Sequence, residues 1–154
     1  MEIVEDTLEY PIGIAFSPDQ GTLYLSDSSA YVGLIDGRLP PAQRQVVYGS
    51  SGTRTLYAYN VSEDGLSIAN KRRVYYSQDF IPNAIKVARN GYLMVAAGHG
   101  VDVIDSVGTL LVRIQTSHVV ANMQWVGDTL QTLWLVGNGG MSKVIWNLQG
   151  PIHA

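Results

Sequence analysis

Tyr10-Pro-Ile-Gly-Ile-Ala-Phe-Ser-Pro-Asp-Gln-Gly-Thr-Leu-Tyr-Leu-Ser-Asp27 decides the fold. Two runs rich in Ile, Leu, Tyr and Phe flank Ser17-Pro-Asp-Gln-Gly21, where Pro and Gly favour a turn and disfavour a continuing strand. The stretch therefore reads as a β-hairpin. Its pattern returns at Ile81-Pro-Asn-Ala-Ile-Lys-Val-Ala-Arg-Asn-Gly-Tyr-Leu-Met-Val-Ala96, and more loosely from Val120 to Val136. Phe16 matches Val87 after 71 residues, and Val87 matches Trp125 after 38. The shorter step is close to the ~40–45 residues of a four-stranded propeller blade.

Working outward, strand signals fill the chain. Residues 12–17, 22–26, 55–61 and 73–77 form one set. Residues 83–88, 92–97, 101–105 and 109–115 form a second, and 121–126, 132–137 and 142–148 make three strands of a third. No segment holds a helical period for more than about two turns. The expected fold is all-β, a β-propeller with about three blades: 11–78, 81–116 and 119–148. The extra length of the first blade comes from residues 28–53, rich in Gly, Pro, Ser and Gln, which read as a long loop able to cover a channel mouth. A closed ring needs ~4–8 blades. Three would leave open flanks, so either a missing N-terminal half or self-association with a second copy is expected.

Composition narrows the function classes. Hydrophobic residues are 46% of the 154 and charged ones 15%, which suits a folded domain and not a disordered one. Net charge is −3 with no basic run, so a nucleic-acid partner is not expected. There is no cysteine, which removes disulfides and thiolate metal sites. No long apolar run and no signal peptide is read here, so no membrane partner is expected, and the compartment stays open. There is no Gly-x-Ser-x-Gly elbow, phosphate loop or His-Glu-x-x-His.

The hairpins, with Arg54-Thr-Leu-Tyr-Ala-Tyr-Asn-Val61, Gly100-Val-Asp-Val-Ile-Asp105, Gly108-Thr-Leu-Leu-Val-Arg-Ile114 and Leu130-Gln-Thr-Leu-Trp-Leu-Val-Gly137, resemble the gluconolactonase, senescence-marker-protein and luciferin-regenerating-enzyme family. Within it the fungal lactonohydrolases are most similar. The resemblance covers nearly the whole chain in the family's order. It implies a six-bladed propeller that opens a small-molecule lactone with Ca²⁺ or another divalent cation in its channel. Such a cation takes oxygen ligands and polarises a carbonyl. Family members hold it with a first-blade Glu, an Asn and an Asp at the starts of innermost strands. The Glu is expected in sequence outside this chain. Where the family has Pro-Asn-Gly stands Pro11-Ile12-Gly13, and where it has Pro-Asp-Gly stands Pro82-Asn83-Ala84. Ile12 has no ligating atom, and Asn83 keeps an oxygen without the charge. An impaired hydrolase is one expectation; a non-catalytic propeller scaffold with a decayed metal site is the other.

Propeller geometry puts the residues before each innermost strand and after the second strand on one face. Ile12, Asn83 and Ala121 should then meet the ends marked by Asp27, His99 and Asn138. Asn83 is the candidate metal or substrate ligand, against the plainer role of a turn Asn. His99, between two glycines, is the candidate acid, base or ligand, against a polar turn residue. Asn122 and Asn138 are candidate substrate contacts. Asp27 reads as a backbone cap, Asp79 and Asp105 as loop acids, and His118 and His153 as solvated. Trp125, Trp134 and Trp146 read as core.

Overall fold

The three hairpin-forming stretches fold as their turn residues direct. In the computed structural model, which describes residues 2–35, 40, 45–78 and 80–152, there are β-strands and, among the described residues, no helix. The first sheet has the order β1 (Pro11–Phe16), β2 (Thr22–Asp27), β5 (Thr55–Val61), β6 (Ile68–Tyr76). The second runs β7 (Pro82–Val87), β8 (Leu93–Ala97), β9 (Gly100–Ile104), β10 (Leu110–Gln115). The third is β11 (Val119–Val126), β12 (Thr132–Asn138), β13 (Gly140–Ile145). All pairings are antiparallel between neighbours.

Local chemistry closes the hairpins. At the β1–β2 turn the Ser17 hydroxyl and the Gly21 N–H both donate to the Asp19 carboxylate. Gln20 N–H donates to Ser17 O at 2.8 Å, and Gln20 takes a positive φ of 60°. At β7–β8 the left-handed position is Gly91, φ 87°, which carries no Cβ penalty there. The β12–β13 turn is tight, with Gly139 at φ 81°.

Two cores lie between the sheets. Ile85, Val87, Leu93 and Val95 of the second sheet pack on Tyr24, Leu56 and Ala58 of the first. Met123, Trp125, Leu133 and Leu135 of the third pack on Met94, Ala96, Val101 and Val103 of the second. A polar bond also crosses the first gap. Asp102, fully buried on β9, accepts from the Tyr75 hydroxyl of β6 at 2.7 Å, and from Arg113 Nε and Nη2 of β10 at 2.6 and 3.0 Å. Burial first, and then the Asp102 hydrogen bond, push the Tyr75 hydroxyl far above its ordinary value, so it stays protonated and donates.

Four expectations need correction. The 28–53 insertion is not all loop: it carries a hairpin, β3 (Tyr31–Ile35) with β4 (Gln45–Tyr48), while 36–39 and 41–44 lie outside the described residues. Its base is zipped by Ala30 N–H to Thr53 O, 3.0 Å, and by the Ser29 and Thr53 hydroxyls, also 3.0 Å apart. Strand β6 begins at Ile68, five residues earlier than read, because the turn at Ser62–Ser67 returns the chain at once into pairing with β5. Finally, His118 is buried, its ring packed against Gly140, where a Cβ would come within 2.8 Å of it. Trp134 is partly exposed on the outer face of the third sheet, whereas Trp125 is core and stacks on Trp146 at 6.1 Å.

Candidate functional site at the bulged strand starts

Each innermost strand breaks its pairing at the same place. Pro11 pairs with Asp27 and Ile14 with Leu25, so Ile12 and Gly13 together face Ser26. Pro82 pairs with Ala97 and Ile85 with Val95, so Asn83 and Ala84 together face Ala96. Val120 pairs with Gly137 and Asn122 with Val136, leaving Ala121 extra. An extra residue in one strand bends it and re-aims the side chain at the kink. The three bulges put Ile12, Asn83 and Ala121 on one pocket of about 330 Å³, together with Gly98, Gly137 and Asn138.

The bulges also lock the sheets together. Gly13 N–H donates to Ser26 Oγ at 2.7 Å, and the Ser26 hydroxyl donates to the Asn83 carbonyl at 3.1 Å. The Ser28 hydroxyl donates to Pro82 O at 2.5 Å. Val120 N–H donates to Gly98 O at 2.7 Å. A Cβ at Gly13 would stand 2.2 Å from Asn83 O, so glycine is what lets the first two sheets approach.

The candidates fall as follows. Asn83 and Asn138, both half-buried, line the pocket and offer its amide groups. Ile12 lines it with a hydrocarbon surface. Asn122 is exposed, its Oδ1 accepting from Met123 N–H at 2.8 Å, and it lines an adjoining depression of about 280 Å³ beside Asn83 and Lys86. His99 is half-buried, tilted against the Phe80 ring at 5.8 Å; Phe80 and Gly98 line the pocket, and His99 is not among its lining residues. Asp27 is buried and caps backbone, accepting from the N–H groups of Glu9, Tyr10 and Ser29 at 3.1–3.2 Å. Asp105 holds its own turn through the N–H groups of Val107 and Thr109. Asp79 and His153 lie outside the described residues.

Sequence reading missed Tyr10, Tyr31 and Phe80, the aromatic walls of the pocket. Tyr10 directly precedes the first strand and was within reach of the strand-start argument. Tyr31 comes from β3, so the insertion does border the pocket. With these aromatics, Ile12 and Ala121, the pocket is apolar, and its two side-chain amides are uncharged. It suits a small neutral ligand with carbonyl or hydroxyl groups.

A calcium ion takes ~6–8 oxygen ligands, with carboxylates supplying the charge. Here the pocket offers two amides, Asn83 near the start of β7 and Asn138 at the end of β12, and the nearby Asp27 carboxylate is occupied by backbone N–H groups through both oxygens. Among the described residues no group of three His, Asp or Glu converges anywhere. The residues present do not by themselves fit the cation.

A family model described as SMP-30/Gluconolactonase/LRE-like region matches residues 38–137. Lactonohydrolase oryH of Aspergillus oryzae is 47% identical over 152 residues, 98% of this chain and 32% of its own length. Lactonohydrolase oryL of the same organism is 40% identical over 148 residues, 96% of this chain and 34% of its own. The chain thus spans about a third of the length of these relatives. A gluconolactonase structure from Xanthomonas campestris superposes with a TM-score of 0.65 at 26% identity, covering 94% of this chain and 39% of that one. A luciferin-regenerating enzyme gives 0.72 at 18% identity, covering 97% and 49%. The calcium-binding protein regucalcin from Agrobacterium tumefaciens gives 0.65 at 16%, covering 86% and 39%. The last two likenesses show the fold alone. It is the propeller-like fold, with which the antiparallel sheets described here are consistent.

Proposed function

Because the chain belongs to the SMP-30/gluconolactonase/LRE-like family, we propose that it forms one sector, about three blades of six, of a lactonohydrolase-type propeller, with one wall of the lactone-binding channel. The observation that carries the reading is the convergence of three register-equivalent bulges on one neutral, aromatic-walled pocket. Asn83 and Asn138 would donate their amide N–H groups to the lactone carbonyl and ring hydroxyls. Tyr10, Tyr31 and Phe80 would cover the apolar ring face and exclude water from one side. Ester opening needs water delivered to that carbonyl and a stabilised oxyanion. The amides serve the second need in part, and the chain's described side chains place no base in the pocket.

The reading is therefore of a hydrolase sector impaired on its own. Opening a lactone releases a carboxylic acid, so a weakly buffered indicator assay reads turnover directly. The chain should bind an aldonolactone saturably, lose that binding on Asn83→Ala, and turn it over poorly with or without calcium. Failure to bind any such lactone would sink the proposal. Calcium should leave the melting temperature where a chelator leaves it, since a ligand raises it only by binding the native state.

A second reading is favoured by the donor set itself. With Ile12 and Asn83 where the family places ligands, the frame would persist as a non-catalytic binding scaffold. Saturable binding with turnover no faster than the uncatalysed reaction supports this reading; turnover that Asn83→Ala abolishes refutes it.

A further inference from the structure

The innermost strands β1, β7 and β11 run from the amide pocket to a second cavity, of about 300 Å³, at their far ends. Phe16, Val87 and Trp125 hold one register, opposite Leu23, Leu93 and Leu133. They line the cavity together with the residue before each of them, Ala15, Lys86 and Gln124. Pro151 and Ile152 close one side. The segment that carries them is held by Gly150 N–H to Leu130 O and by Arg89 N–H to Gln149 O, both 2.8 Å. No residue of the amide pocket lines this cavity.

Lys86 sets the chemistry of the second cavity. At its register the first sheet presents the methyl of Ala15 and the third the amide of Gln124, while the second presents an ammonium. Lys86 is half-buried, and among the described residues it has no hydrogen-bond or ion-pair partner. Other cations of the chain are engaged: Lys71 meets Glu5 and Thr7, Arg89 meets Gln149, and Arg113 meets Asp102. Neither this cavity nor the depression beside Asn83 and Asn122, which Lys86 also borders, is lined by an Asp or Glu. An ammonium that has lost part of its water gains more from an anionic acceptor than one at the open surface does.

A second observation points the same way. Trp125 on this wall is only 5% exposed, and its indole N–H is buried with no acceptor among the described residues. The remaining wall is mostly hydrocarbon, from Ile14, Phe16, Val87 and Leu130. The cavity thus offers donors and apolar surface, and no charge to a cation. We propose that it is a second binding site, for a small carboxylate with an apolar tail. Lys86 would hold the carboxylate, and the tail would lie against Phe16, Trp125 and Leu130. One ammonium balances one charge, which favours a carboxylate over a phosphate. A tail bearing hydroxyls would leave them unpaired against hydrocarbon, which disfavours a polyhydroxy acid.

Calorimetric titration of the folded chain with hexanoate, hexanol and gluconate tests the site. Hexanoate should bind saturably and about tenfold more tightly than hexanol, the step that a hydrogen bond to a charged group supplies. Gluconate has the charge without the apolar tail and should bind more weakly than hexanoate. Lys86→Met keeps the hydrocarbon stem and should bring hexanoate down to the level of hexanol, while Lys86→Arg should restore most of the difference. Added salt should weaken hexanoate and leave hexanol unchanged. Asn83→Ala, in the other pocket, should leave hexanoate binding as it is. Hexanoate that binds no better than hexanol, or equally well to Lys86→Met, overturns the site. Gluconate that matches hexanoate overturns the apolar tail, and loss of hexanoate binding in Asn83→Ala overturns the separation of the two pockets. The inference rests on Lys86 and its surroundings, so a chain inert toward lactones leaves it standing.

Discussion

Replacing Asp102 with Ala should cost more than any surface change in this chain. Its carboxylate is fully buried and takes hydrogen bonds from Tyr75 and Arg113, joining the first sheet to the second. Removing one partner of a buried pair costs roughly 3–5 kcal/mol, because the groups left behind lose a partner they cannot replace with water. The Arg113 side chain keeps 27% exposure, so water recovers part of its hydration and the lower end applies, about 3 kcal/mol. At this chain length that is a fall in melting temperature of about 6–12 °C. Tyr75→Phe removes a single hydrogen bond to a charged acceptor and should cost about 1.5–3 kcal/mol. The two effects share one contact, so the double variant should fall well short of their sum. Urea unfolding followed by tryptophan fluorescence would read all three variants. A cost below about 1 kcal/mol for Asp102→Ala, or strict additivity with Tyr75→Phe, would refute the claim that this bond ties the sheets.

Gly13→Ala places a methyl group against the Asn83 carbonyl and should destabilise by about 1–3 kcal/mol, read in the same unfolding assay, with lactone binding weakened alongside. Gly140→Ala pushes on the buried His118 ring and should lower the melting temperature too; an unchanged melt would show that the ring can move aside. Burial tends to raise the Glu5 carboxyl, yet the Thr7 hydrogen bonds and the Lys71 ammonium outweigh it and bring it from 4.5 to about 2. A folded value below the unfolded one gives stability present above about 4.5 and lost as pH falls toward 2. Glu5→Gln should flatten that part of the stability-against-pH curve, and an unaltered slope would count against the contact.

The strands were legible where turn chemistry brackets them. Pro18 to Gly21 and Asn90-Gly91 fix both ends of their hairpins, and the placement of Ile12, Asn83, Ala121 and Asn138 on one pocket followed from that. The insertion hairpin was not legible, because residues 28–53 have the composition of a loop and β3 with β4 pair only with each other. Asp102 was hidden by its own strand: Val101-Asp-Val103 reads as a polar residue turned to water, and its Tyr75 partner sits 27 residues away. His118 was misplaced because burial there depends on Gly140, 22 positions along the chain, having no side chain. The bulges were invisible because a two-against-one register is a property of strand pairs, not of either strand's sequence.

The zipped base of the insertion has a consequence for how the protein can vary. Ala30 and Thr53 already meet by a backbone bond, and β2 and β5 pair from Thr22–Asn60 to Asp27–Thr55 regardless of what lies between. The sheet therefore never senses the length of the excursion; a longer loop adds only a slowly growing closure entropy, about 0.6 kcal/mol per doubling. Tyr31, the first residue beyond that base, is the one the pocket uses. A change in length beyond Tyr31 should therefore leave the pairing of β2 with β5 in register while altering what borders the pocket.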